Sequence, residues 1–168
     1  MGYVHDTAMS QYIPPTLFHY AGGTWAQAAA AVTDAICMRR TAAAATTVIN
    51  IPIMLPSNSV ALKGAYLKSI VIDYEIDTAA ATSITAVLNK VTRGAEGADA
   101  TVAVQPSTQD LVAATDAADV DDHTLTITVT TPLWIDHEDY FLLELTCVCA
   151  LTTELDILGA AINFTLRI

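Results

Sequence analysis

Strict alternation of apolar and polar side chains is the feature that most constrains this chain. In Thr124 to Thr130, Leu125, Ile127 and Val129 alternate with four threonines. Successive side chains of a strand point to opposite faces, so such a segment buries one face and wets the other only when extended. A helix would scatter the same residues around its circumference. Within Ser69 to Asp77, Ile70, Ile72, Tyr74 and Ile76 share the predicted core face, with Asp73, Glu75 and Asp77 on the wet one. Tyr140 to Cys149 places Phe141, Leu143, Leu145, Cys147 and Cys149 inward against Leu142, Glu144, Thr146 and Val148 outward.

The C-terminal stretch reads the same way in two registers. Leu155 and Ile157 come first, then Gly159 as a bulge that resets the alternation, then Ile162, Phe164, Leu166 and Ile168. Further strands are expected at Thr46 to Leu55, with Ile49, Ile51, Ile53 and Leu55 inward, at Ser83 to Val91, and in a short run from Ala100 to Gln105. Pro52 cannot donate to a ladder and marks an edge or a bulge. A weaker strand at Ile36 to Thr41 brings the number to about eight. No convincing helix lies between them, which favours an all-β, two-sheet antiparallel β-sandwich over βαβ units, with a jelly roll as the leading topology. Trp25 to Arg40 stays open between helix, which its alanines suit, and strand, which Val32, Thr33 and Ile36 suit.

Residues 1–40 have a different texture: Tyr3, Tyr12, Phe18, Tyr20 and Trp25 are interspersed with Pro14-Pro15 and Gly22-Gly23. The expected organisation is an extended N-terminal arm over 1–40 and a sandwich over 41–168. Rings give large contact area for few frozen torsions, so these five aromatics are the candidate contacts to a neighbouring copy. The arm could equally fold over its own sandwich.

With 53% hydrophobic and 15% charged residues among 168, the chain can build a core without staples. Its formal charge of −11 repels phosphate backbones and anionic membranes, so neither nucleic acid nor membrane is an expected partner. There is no apolar run long enough to span a bilayer, and Met1 to Asp6 lacks the basic start and apolar stretch of an export signal. Cys37, Cys147 and Cys149 fit neither zinc spacing nor a C-x-x-C motif, which points to free buried thiols and a reducing compartment.

Two acidic clusters stand out, Asp119, Asp121, Asp122 and His123, then Asp136, His137, Glu138 and Asp139. The strand between them separates them by about 26 Å, so they cannot form one site. The first lacks the glycine and the twelfth-position glutamate of an EF-hand, and each reads as a solvated loop in preference to a calcium site. No G-x-S-x-G, H-E-x-x-H or phosphate cradle is present, and His5, His19, His123 and His137 are scattered. Asp73 and Glu75, two apart on one strand face, read as wet surface and not as a glycosidase pair. No catalytic residue, metal or cofactor is expected.

Leu67 to Tyr74 and Thr78 to Asn89, with Thr130 to Trp134 and Glu138 to Tyr140, resemble small β-sandwich structural proteins of tailed phages and uncultured viruses. The resemblance spans roughly residues 40–168. It implies a non-enzymatic virion protein, a capsid decoration (cement) or minor capsid component that forms a homo-oligomer, for instance a trimer, with copies of itself and other capsid proteins after assembly in the host cytoplasm. Ala- and Thr-rich strands suit such self-packing, because small side chains lose little entropy. The competing expectation is a carbohydrate- or receptor-binding head framed by Trp134, Tyr140 and an acidic loop.

Overall fold

The computed structural model describes residues 5–30, 35–56, 64–110, 122–132 and 134–167. In chain order the strands are β1 (Asp6–Ile13), β2 (His19–Ala21), β3 (Trp25–Ala29), β4 (Ile36–Arg40), β5 (Ala45–Ile53), β6 (Ala65–Asp77), β7 (Ala81–Thr92), β8 (Thr101–Val104), β9 (Ser107–Gln109), β10 (Asp122–Val129), β11 (Asp139–Cys149) and β12 (Glu154–Arg167). A 3-10 turn, Pro15–Leu17, separates β1 from β2. The seven-stranded sheet runs β3-β4-β12-β6-β10-β9, with β1 also on β12, and the five-stranded sheet runs β2-β5-β11-β7-β8.

The eight strands expected from alternation are β4 to β8 and β10 to β12. Counted one to eight, they run 1-8-3-6 in one sheet and 2-7-4-5 in the other, the strand order of a jelly roll. Inward faces match the reading: Ile49, Ile51, Ile53, Ile70, Ile72, Ile76, Leu125, Ile127, Leu143 and Leu155 are fully buried, and Phe141, Cys147 and Cys149 lie among them. Burial raises both of these thiols above the ordinary cysteine range. The ladder shifts register between Ile157 and Gly159, where φ is +151°, as the glycine implied. Pro52 pairs with Leu142 but lies beyond the last β2 partner, so its missing donor falls on an open edge.

Among the described residues four strands are additional, and three of them come from the segment expected to be an arm. It is extended, but it pairs with its own sandwich. β1 lies antiparallel along β12 from Asp6↔Arg167 to Ile13↔Ala160, β2 adds to β5, and β3 forms a hairpin with β4. Trp25 to Arg40 therefore holds strands at Trp25–Ala29 and Ile36–Arg40 and not a helix. Gly22 and Gly23, with φ of +78° and +79°, carry the chain from one sheet to the other. A side chain at Gly22 would place its first carbon 2.7 Å from the Thr46 carbonyl oxygen, so only glycine makes this crossing.

A second difference concerns depth. Glu75 alternates as expected, away from the core, yet it is fully buried, whereas Asp73 and Asp77 are half-buried. β6 is a central strand, and Glu75 stands between Asp156 of β12 and Asp122 of β10. Period two assigns a face; it does not say how deeply that face is inset.

Candidate functional site

The aromatic residues nominated as contacts to a neighbour are mostly used inside the chain. Phe18 belongs to the core at 6% exposure. Tyr20 packs against that core, its ring 4.3 Å from Trp25, and donates its hydroxyl proton to the Pro15 carbonyl at 2.7 Å. Trp25 donates its indole N–H to Gly22 at 3.0 Å. Tyr12 is 55% exposed, with its hydroxyl donating to the Leu158 carbonyl at 2.6 Å. Tyr3 lies outside the described residues.

The acidic clusters stay apart. Asp119 and Asp121 fall outside the described residues, while Asp122 and His123 open β10 on the seven-stranded sheet. His123 is on a strand rather than a loop, buried, with its ring 5.3 Å from that of Tyr74. In the second cluster Asp136 accepts from the His137 ring at 2.8 Å, which pushes the histidine up and the carboxyl down from their ordinary ranges. Asp139 accepts from Lys90 at 2.7 Å and from the Thr92 hydroxyl at 2.6 Å. Burial would raise its carboxyl, but these partners hold it below the usual range. Among the described residues no three His, Cys, Asp or Glu side chains converge as metal ligands.

The outer face of the seven-stranded sheet is ionic. In register across it run Arg39, Asp156, Glu75 and Asp122. Arg39 grips the fully buried Asp156 with two hydrogen bonds of 2.8 and 2.6 Å and reaches Glu154 at 2.9 Å. Cys37, also fully buried on this face, has its thiol pushed up to about 12 by burial and by Asp156. Beside this row is a cleft of about 370 Å³ lined by Tyr12, Asp73, Asp122 and His123. Burial raises the Asp73 carboxyl, which also accepts from Thr124 at 3.4 Å.

Trp134 and Tyr140, expected to frame a sugar together, stand on different sheets. Trp134 bridges to Tyr66 with ring centroids 4.0 Å apart, and the Arg167 guanidinium lies 4.5 Å over its ring. Arg167 in turn is held by Asp6 at 2.7 and 2.9 Å. This indole is packed under a cation and offers no open platform on that side.

Tyr140 belongs instead to the outer face of the five-stranded sheet, which differs in kind. Strand register lines up Val102, Val91 and Tyr140, then Val104, Asn89, Leu142 and Pro52. Next come Val87, Glu144, Asn50 and His19, then Thr85, Thr146, Val48 and Ala21. Only Glu144 and His19 in these rows can carry charge. Val102 and Val104 are 65% and 68% exposed, Tyr140 44% and Val87 39%. Exposed apolar side chains standing together on one face mark an interaction surface in a way scattered ones do not. Sequence reasoning did not nominate this face, although Leu142 and Val148 among the outward residues of β11 were its signal.

No protein-family model matches the chain, and no curated protein matches it. Among solved structures it is similar to arabinose-bound MgGH51 α-L-arabinofuranosidase, at 11% identity and a TM-score of 0.44, over 92% of this chain and 25% of that one. The chain thus spans about a quarter of that enzyme chain's length. The likeness carries no chemistry across.

Proposed function

We propose that this chain is a non-enzymatic structural subunit of a virus particle, a capsid decoration or minor capsid protein that works by packing against copies of itself and against other capsid proteins. One observation carries the reading: the outer face of the five-stranded sheet presents Val87, Val102, Val104 and Tyr140 to solvent with almost no charge among them. In a chain of net charge −11, copies repel wherever their carboxylates meet, and a charge-poor face is where that repulsion is least. The viral setting is supported by the sequence resemblance, and the jelly roll is a common capsid scaffold. The rigid sandwich is the body of the subunit. The contact surface is this sheet face and not a projecting arm, since Phe18, Tyr20 and Trp25 are spent on the chain's own packing.

Light scattering with size exclusion, or analytical ultracentrifugation, tests the reading over a range of concentrations. A defined oligomer is expected, and a strictly monomeric mass at high micromolar concentration overturns it.

A further inference from the structure

Three of the four outer strands in the eight-strand frame carry an added short strand: β3 lies beyond β4, β9 beyond β10 and β2 beyond β5. The fourth, β8, ends the five-stranded sheet with nothing beyond it among the described residues. Where β8 stops, the edge of β7 is still closed. The Gln109 side-chain amide donates to the Ala86 carbonyl at 2.6 Å and accepts from its N–H at 3.2 Å, standing in for a strand. Edges left open in soluble proteins are normally blunted by charge, proline or a bulge. Thr101-Val102-Ala103-Val104 has none of these, and all four residues are exposed.

The direction of the open backbone groups follows from one hydrogen bond. Gln105 donates its N–H to the Leu88 carbonyl at 2.8 Å, so Gln105, Ala103 and Thr101 turn their backbone groups toward β7. Those of Val102 and Val104 therefore point outward from the edge. We propose that β8 pairs antiparallel with β8 of a second copy about a two-fold axis through Ala103, joining two five-stranded sheets into one ten-stranded sheet. This rests on the self-assembly reading above and adds an edge contact beside the face named there.

The side chains favour the axis at Ala103. With the outer faces of both sheets on the same side, it pairs all of Thr101 to Gln105 and sets Val102 against Val104 of the partner, and each such pair exchanges two backbone hydrogen bonds. Four valines then cluster beside Val91 and Tyr140, while the two Ala103 residues meet with Cα atoms about 4.5 Å apart as a non-hydrogen-bonded pair. Charge permits the approach. The paired segment from Thr101 to Gln105 holds no ionisable side chain, and Asp99, four residues from the axis in each copy, lies about 26 Å from its counterpart, well beyond the screening length of about 8 Å at physiological salt.

The test is a cysteine at the axis. Ala103→Cys, treated with a mild oxidant, should convert mostly to a covalent dimer, because a Cα separation of about 4.5 Å lies within disulfide reach. Cys37, Cys147 and Cys149 are buried, so the wild-type chain should not cross-link. In the wild type, amide exchange at Val102 and Val104 should slow at least tenfold as protein concentration rises, with Ala103 unchanged. Val102→Pro, which removes an outward donor and no donor to β7, should lower the mass by half or more.

An oligomeric wild type in which Ala103→Cys fails to cross-link and the two valine amides ignore concentration overturns the edge pairing but leaves the self-assembly reading standing. A monomeric wild type removes both. Protection of Val102 and Val104 that appears only when a different chain is added puts a foreign strand in the seat and overturns self-pairing.

Discussion

Matched rows on the two outer faces have opposite fates. Across the seven-stranded sheet, Glu75 and Asp156 are fully buried between a half-buried Arg39 and an exposed Asp122, and Asp156 lies in the Arg39 fork. Across the five-stranded sheet, Val87, Glu144, Asn50 and His19 stay nearer the surface, and the exposed members of the two rows toward β8 are valines and a tyrosine. One face holds its buried carboxylate in a fork from the chain itself; the other keeps apolar groups that nothing among the described residues covers. Ionic side chains can therefore be structural while greasy ones are left at the surface, the reverse of the usual assumption that charge belongs outside and apolar groups within.

The strongest way to break this contrast is Arg39→Met. It leaves the Asp156 carboxylate buried without its fork, and chemical denaturation should show a loss of about 3–5 kcal/mol. An unchanged midpoint would mean that the ionic row is ornamental to folding. Next is Gln109→Ala, which orphans the N–H and carbonyl of the nearly buried Ala86; the expected cost is about 1–3 kcal/mol, with faster amide exchange at Ala86.

Acid titration sharpens the contrast through two carboxylates that respond in opposite senses. Asp139, at the start of β11, has a folded pKa below its ordinary 3.8, so its contribution is present above 3.8 and fades as pH falls through the lower folded value. Asp73, on the ionic face, has a raised pKa, so folding takes up its proton first and stability rises as pH falls from that raised value toward 3.8. Asp73→Asn should accordingly be more stable than wild type at neutral pH, with the gain gone below 3.8. Thermal melts over this range read both, and a gain that persisted below 3.8 would contradict the assignment. The smallest effect on folding belongs to Val87→Lys, within about 0.5 kcal/mol by denaturant melt, although the solution mass should fall toward that of a monomer.

Legibility in the sequence followed what each strand must bury. β10 and β11 alternate cleanly because each packs one face on the core, and their inward residues were readable down to the thiols. β1 was unreadable for a physical reason: Asp6 to Tyr12 are all exposed, so its ladder to β12 asks nothing of hydrophobic pattern. β3 is Trp-Ala-Gln-Ala-Ala without a β-branched residue, and β9 has three residues. Glu75 shows the limit at the other end, since its face was legible and its burial depends on neighbours distant in sequence. The candidate face was half visible in the outward Leu142 and Val148; its continuation across β7 and β8 required knowing which strands lie side by side.

The bulge at Gly159 reaches further than local geometry. A side chain there would collide with the Tyr12 ring, and the Tyr12 hydroxyl is tied to the neighbouring Leu158 carbonyl. Residues 6–13 thus find their strand partner in residues 160–167. During synthesis β1 must wait for β12, which follows it by more than 140 residues (Asp6 pairs with Arg167), and contacts of such long sequence separation form slowly. Until then this stretch of β12 keeps an open edge, which sets a clock on when the newly made sandwich is complete.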